Sequence, residues 1–287
     1  MKGTLYIVST PIGNLEDITL RALRVLKEVD IIAAEDTRHS LKLLTHYGIS
    51  KPLISYWGEK EKTKSEEIIE KLQNGQSVAL ISDSGTPGIS DPGYLVIKKA
   101  IEKDFPVIVI PGPTAFVAAL IISGFKSNEF TFFGFLPQGE RHRRKLFEEL
   151  VYDTKTLIFY ESPYRLLKTL TEMEKYFQGR KAALIKELTK IHEKVIRGTI
   201  SEIISIVKKD KIAGEYIIII EGRTSKDSPP IDDALKEVKL LMKKGLSRKD
   251  AVAKIAEVYN ISRKELYDRS LSSLLTFSPH NNKIFQR

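Results

Sequence analysis

Short apolar runs, rich in isoleucine and valine, alternate along the chain with stretches whose apolar residues recur at helical spacing. The runs cover residues 5–9, 31–34, 77–82, 107–110, 131–136, 156–160, 182–186 and 216–221. Each is a few residues long and bounded by turn formers, as strands are, and too short for a helix. Between them, Leu20, Leu23, Val25, Leu26 and Val29 repeat with a helical period, as do Ile68, Ile69 and Leu72, and Leu166, Leu167, Leu170 and Met173. Strands separated by helices predict parallel pairing with right-handed crossovers, and nearly continuous apolar strands predict sheets covered on both faces. The fold class is therefore α/β.

The first four strands end before the turn at residues 111–115 and the next four end before Gly222, which predicts two α/β lobes, residues 1–113 and 114–224. Residues 225–230, Ser-Lys-Asp-Ser-Pro-Pro, have nothing to bury and read as a linker. The strands then stop. Residues 231–287 form a small all-helical domain with helices expected at 231–242, 248–259 and 263–271, the last two N-capped by Ser247 and Ser262. Residues 276–287 show no usable periodicity.

A hydrophobic content of 42% with 29% charged residues suits folded lobes rather than a disordered chain. The chain has no cysteine, which excludes disulfides, thiolate zinc sites and a cysteine nucleophile and fits a reducing compartment, the cytoplasm being the simplest. The apolar run that opens the chain is far too short for a signal peptide or a membrane span, so neither export nor membrane insertion is expected. Five histidines without metal-ligand spacing argue against a zinc site. The net charge of +9 favours phosphate-rich partners. Much of that excess lies in residues 230–287, with twelve Lys or Arg against seven Asp or Glu.

Candidate chemistry concentrates in three glycine/proline loops that follow the first, third and fourth of these strands: Pro11-Ile12-Gly13-Asn14, residues 82–93, and Pro111-Gly112-Pro113-Thr114-Ala115. In a parallel sheet ligands bind beyond the carboxyl ends of the strands, where loops lead into helix N-termini. The three loops are expected to build one small-ligand site, although any one of them alone reads equally well as a tight turn. Neither a G-x-G-x-x-G nor a G-x-x-x-x-G-K-[ST] element is present, which disfavours a Rossmann dinucleotide site and a P-loop.

Six segments in order carry a resemblance to a known family: residues 5–15; Ala34-Glu35-Asp36-Thr37-Arg38; residues 82–93; residues 111–115; Tyr160-Glu161-Ser162-Pro163; and Lys186-Glu187-Leu188-Thr189-Lys190. Together they resemble the ribosomal RNA small subunit methyltransferase I family of the tetrapyrrole-methylase superfamily. The resemblance spans residues 4 to about 225 and extends more weakly into the helical tail. It implies two lobes enclosing a cleft, S-adenosylmethionine as cofactor, and the ribose 2′-oxygen of a cytidine in 16S RNA of the small ribosomal subunit as methyl acceptor. It also implies a homodimer. Carried over residue by residue, Pro11, Gly13, Asp83, Gly85, Gly88, Thr114 and Ala115 would approach the cofactor from the first lobe, and Tyr160, Leu188, Gly214 and Tyr216 from the second. Where porphyrinoid methylases tend to carry a G-D-P loop, this chain has Asp83-Ser84-Gly85-Thr86-Pro87, a departure that argues against a tetrapyrrole substrate.

Methyl transfer to a hydroxyl needs alignment and then removal of a proton. Glu35, Asp36 and Glu187, with Arg38 and Lys186, lie at strand ends within reach of such a substrate. Asp36 could instead cap the following helix, and Glu187 and Lys186 could pair with each other or with Arg38. For RNA, Arg38, the run Arg141, Arg143, Arg144 and Lys145, and the tail pairs Arg248-Lys249 and Arg263-Lys264 are candidate phosphate contacts, against a solvated helix face for the run and a dimerisation or packing role for the tail. The rival functions are a methylase of a tetrapyrrole or other small molecule and a non-catalytic ribosome-assembly factor.

Overall fold

The computed structural model describes residues 2–58, 61–223, 231–259 and 261–272. The expected linker at 225–230 and the terminal stretch 276–287 lie outside them. In chain order the first lobe contains β1 (Leu5–Val8), α1 (Leu20–Glu28), β2 (Ile31–Ala34), α2 (Thr37–His46), β3 (Leu53–Ser55), α3 (Glu61–Gln73), β4 (Val78–Ile81), α4 (Tyr94–Glu102) and β5 (Val107–Ile110). The second contains α5 (Ala115–Ser123), β6 (Phe130–Phe135), α6 (Glu140–Leu150), β7 (Thr156–Glu161), α7 (Leu166–Tyr176), β8 (Lys181–Lys186), β9 (Lys194–Thr199), α8 (Ile200–Val207) and β10 (Tyr216–Ile220). The tail consists of α9 (Ile231–Lys243), α10 (Arg248–Val258) and α11 (Arg263–Ser272).

The first sheet runs β3-β2-β4-β1-β5 and every pair in it is parallel. Side chains alternate across a strand, and both faces are covered. Leu5, Ile7, Ile31, Ala33, Val78 and Leu80 pack with Ile68 and Leu72 of α3 and Val96 and Ala100 of α4. Val8, Ile32, Ala34, Ala79 and Ile81 point the other way, onto Ala22, Val25 and Leu26 of α1 and Leu43 and Leu44 of α2. The helices that follow the neighbouring central strands β1 and β4 pack on opposite faces of the sheet, so the loops after these strands leave its carboxyl edge side by side before parting.

The second sheet departs from the expected parallel pairing. Its order is β6-β7-β10-β8-β9, and only β6 and β7 are parallel; β10 lies antiparallel to both β7 and β8, and β8 antiparallel to β9. The cause is local: no helix separates β8 from β9, so that connection is a turn and not a crossover. Both faces are again filled, by Leu157, Phe159, Leu184 and Ile218 against α6, α7 and α8, and by Ile158, Ala183, Ile185, Ile217 and Ile219 against Ala119 and Leu120 of α5.

The tail has its own small core, built on Ala234, Val238, Val252, Ile255 and Leu266. Ser247 N-caps α10 by accepting from the Asp250 amide. Tyr259 stacks on Tyr152 of the second lobe with ring centroids 3.9 Å apart, and the two hydroxyls are hydrogen-bonded at 2.9 Å. Arg223 lies over the Tyr152 ring, 4.8 Å from its centroid. Among the described residues no helix is long and apolar enough to cross a membrane.

Candidate cofactor and substrate cleft

The three glycine/proline loops meet in one place. Thr10 and Gly85 form an antiparallel bridge, with the Thr10 amide donating to the Gly85 carbonyl at 2.8 Å and the reverse bond at 3.1 Å. A chain of hydroxyls then joins all three: Ser9 Oγ lies 2.8 Å from Thr86 Oγ1, which lies 3.0 Å from Thr114 Oγ1. The loops are thus held to one another by polar bonds that a ligand does not have to supply. Thr114 also N-caps α5 without a side-chain hydrogen bond to it, and the Phe116 amide in the first turn of that helix bonds the Tyr160 hydroxyl.

These loops form one wall of a cavity of about 280 Å³ between the two sheets. Gly85, Thr86, Asp91, Thr114 and Ala115 line it from the first-lobe side and α5, and Phe135, Tyr160, Ile185, Leu188, Gly214 and Tyr216 from the second sheet. Burial pushes the Tyr160 hydroxyl up to about 12, so the ring keeps its proton and acts as an apolar surface with a donor.

Of the residues expected at the cofactor, Gly85, Thr114, Ala115, Tyr160, Leu188, Gly214 and Tyr216 line this cavity. Pro11 and Asp83 instead line a smaller pocket of about 40 Å³ with His39, Ser40 and Ser82. Gly88 stands behind the loop, packed towards Ile97 and Tyr94. Gly13 forms the seam between the lobes: a Cβ there would lie 2.5 Å from Lys190 Cγ, 2.7 Å from Thr189 Oγ1 and 3.1 Å from the Leu188 carbonyl oxygen. A second seam contact is made by Gly134, whose φ of 65° is left-handed and whose Cβ would meet Ser90 Oγ at 2.9 Å. Asp91, Phe135, Ile185 and Glu161 line the cavity without having been singled out as site residues. For Asp91 a signal existed, since it is the second aspartate of the long loop; the others are ordinary strand residues.

The expected catalytic carboxylates fall in different environments. Asp36 N-caps α2, accepting from the Arg38 amide at 2.8 Å, and pairs with the exposed Arg38 guanidinium; these bonds hold its carboxyl below the usual range. Burial would raise Glu187, but the Glu215 amide and Lys190 at 3.0 Å outweigh it and hold it low. Its partner is therefore Lys190, not Lys186 or Arg38; Lys186 donates to the Lys211 carbonyl. Glu35 is half-buried and raised, first by desolvation and then by the charges of Asp83 and Asp36, against a bond from the Asp83 amide. Among the described residues no group of three or more His, Asp or Glu is placed to hold a metal ion.

The basic segments divide in the same way. Arg141, Arg144 and Lys145 of α6 are exposed, as are Lys249, Arg263 and Lys264 of the tail. Arg143 corrects the expectation of a continuous basic run: it is only 3% exposed, because its guanidinium makes two 2.8 Å bonds to Glu172 and caps the Pro137 and Gln138 carbonyls. It holds α6 to α7 and has no charge to offer a phosphate. Arg248 is half-buried, with Nε enclosed and unpartnered.

Comparison with known proteins agrees with this architecture. Residues 4–204 match the profile of the tetrapyrrole (corrin/porphyrin) methylases. Ribosomal RNA small subunit methyltransferase I of Synechocystis sp. is 44% identical over 272 residues, covering 94% of this chain and 98% of that protein. The protein of the same name from Bacillus subtilis is 41% identical, with 93% of each chain covered. Among solved structures, a cobalt precorrin-4 methyltransferase superimposes with a TM-score of 0.58 at 17% identity, over 76% of this chain and 94% of that one. Uroporphyrin-III C-methyltransferase from Thermus thermophilus, complexed with S-adenyl homocysteine, gives 0.55 at 18% identity, over 76% and 97%. The chain belongs to the tetrapyrrole methylase family and, within it, to the ribosomal RNA small subunit methyltransferase I group.

Proposed function

We propose that this protein transfers a methyl group from S-adenosylmethionine to the ribose 2′-oxygen of a cytidine in the 16S RNA of the small ribosomal subunit. The observation that carries the reading is the near full-length similarity, above 40%, to proteins named ribosomal RNA small subunit methyltransferase I. The porphyrinoid methylases compared share only 17–19% identity with this chain, so a tetrapyrrole substrate is the weaker reading.

The cleft suits the cofactor. Thr86, Thr114 and the uncapped turn at Ala115 would hold its polar groups, and Tyr160, Ile185, Leu188 and Tyr216 its flat, apolar part. When bound, it supplies an electrophilic methyl group that no protein side chain carries. Arg141, Arg144 and Lys145, with Lys249, Arg263 and Lys264, would grip RNA phosphates by salt-sensitive contacts. A second copy of the chain would cover Val109 on the edge strand β5 and Val117 and Ile121 on α5, which are 54%, 47% and 69% exposed. The reading places the protein in the cytoplasm, with its ribosomal substrate.

The test is incubation of the purified protein with methyl-labelled cofactor and small subunits that lack the modification, followed by ribose-specific mapping. Label on a single cytidine ribose is the expected result, from a protein that sediments as a dimer. Label on a base, or none on RNA, overturns the reading.

A further inference from the structure

Deepening that reading, and resting on it, we propose that Asp91 is the base that accepts the proton of the substrate hydroxyl. The carboxylates on the cavity wall are Asp91, Glu161 and Glu215. Glu161 is committed elsewhere: its side chain is fully buried and bonded to Arg165 at 2.8 Å, Thr169 at 2.7 Å and the Ser162 amide at 2.7 Å. Glu215 is 73% exposed and pairs with Lys190 at 3.0 Å. Of the carboxylates singled out by strand-end position, Asp36 is engaged in its cap and Glu187 with Lys190, and Glu35 stands off the cavity wall, accepting from the Asp83 amide. Asp91 is half-buried, and the groups acting on its carboxyl are other acids and one serine, with no lysine or arginine among them.

The backbone around it is shaped to hold that position. Ser90, the residue before it, has a φ of 63°, a left-handed conformation that costs energy for a side chain bearing a Cβ. Ser90 Oγ is wedged against Gly134, so the turn is braced by the opposite lobe. Pro92 and Gly93 then lead into α4, where Glu61 accepts from the Gly93 amide at 3.0 Å and the Leu95 amide at 3.3 Å. The loop is thus fixed on both sides of Asp91.

Its electrostatic setting suits proton transfer near neutrality. Burial first, then the negative charges of Glu35 at the end of β2 and Asp83 in the same loop, push the Asp91 carboxyl up to about 7, against a hydrogen bond from Ser82. The titratable group facing it from the second sheet is Tyr160, which feels the Asp91 charge and remains protonated. In the proposed step the hydroxyl O–H bond breaks and its proton passes to the Asp91 carboxylate. The oxygen bonds to the methyl carbon while the carbon–sulfur bond breaks, leaving its electron pair on sulfur. One positive charge is lost from the sulfonium and one negative charge from the carboxylate.

The experiment is single-turnover methylation of small subunits by the wild type, Asp91→Asn and Asp91→Glu across neutral pH, with cofactor affinity measured by calorimetry and folding by thermal melts. Asp91→Asn is expected to lose about 10²–10⁴-fold in rate, the range for a positioned base, with unchanged cofactor affinity. The glutamate variant regains part of that loss. Because the ionised form is the active one and its pKa is raised, the wild-type rate should fall as the pH drops through about 7, while the residual rate of Asp91→Asn stays flat. A wild-type rate with no such limb overturns the proposal even if the asparagine variant fails to fold. So does a folded Asp91→Asn at wild-type rate, or one whose loss is explained by weaker cofactor binding. A wild type that methylates no subunit RNA sinks the functional reading itself, a result distinguishable from the others.

Discussion

The two sheets reach the same cavity with different chemistry. The first is all parallel and brings the carboxyl ends of several strands to the cleft, so its wall is loop, hydroxyl and carboxylate: Thr86, Asp91 and Thr114, with Glu35 and Asp83 behind. The second is mixed, and the amino end of β10 arrives beside the carboxyl ends of β7 and β8. Its wall is strand ends with their adjoining turns, and it offers Tyr160, Ile185, Leu188 and Tyr216, with Glu161 and Glu215 held in ion pairs. A parallel sheet collects helix N-termini and polar loops at one edge, whereas an antiparallel one supplies a flatter apolar surface. On the proposed reading the site divides its labour: one lobe orients and takes up the proton, the other shelters.

That division breaks most visibly if the buried charge of the sheltering lobe is unpaired. Arg165→Ala leaves Glu161 buried without its cation, which should cost about 3–5 kcal/mol and lower the melting temperature by on the order of 10 °C. Calorimetry checks this, and a melt unchanged from wild type would show that the second wall tolerates free charge. Next comes the seam. Gly13→Val drives a side chain into Lys190, Thr189 and the Leu188 carbonyl; at about 1–3 kcal/mol for overpacking, cofactor affinity should fall about 5–150-fold in titration calorimetry. The smallest effect belongs to the apolar wall. Leu188→Ala should weaken cofactor binding on the order of tenfold while leaving the single-turnover rate at saturating cofactor intact. Loss of rate instead would place chemistry in the lobe assigned to shelter.

How far the sequence could be read followed the same line. β1, β2, β4 and β5 are continuous apolar runs between turn formers, and the loops after β1, β4 and β5 announce themselves by glycine and proline, so the place of the polar wall was legible, while of Thr86, Asp91 and Thr114 only Thr114 was singled out. β3 escaped because Leu53, Ile54 and Ser55 are too few to show a period. β9 escaped because Lys194, Arg197 and Gly198 dilute its apolar residues and leave it partly exposed at the sheet edge. The insertion of β10 between β7 and β8 has no local signature, since pairing is decided by tertiary packing. Ile185 is an ordinary core residue until the topology brings it to the cleft. Arg143 shows the converse error: charge in a run reads as surface, and only the facing Glu172 reveals that it is a buried clasp.

The contact of Tyr152 with Tyr259 bears on the two basic surfaces. Tyr152 lies in the turn directly after α6, so the helix bearing Arg141, Arg144 and Lys145 and the tail bearing Lys249, Arg263 and Lys264 meet at this ring pair. On the proposed reading the two sets of cations would meet RNA phosphates at a separation that this contact helps to set, and an RNA already folded into a particle would surrender less conformational entropy in bridging them than a free single strand.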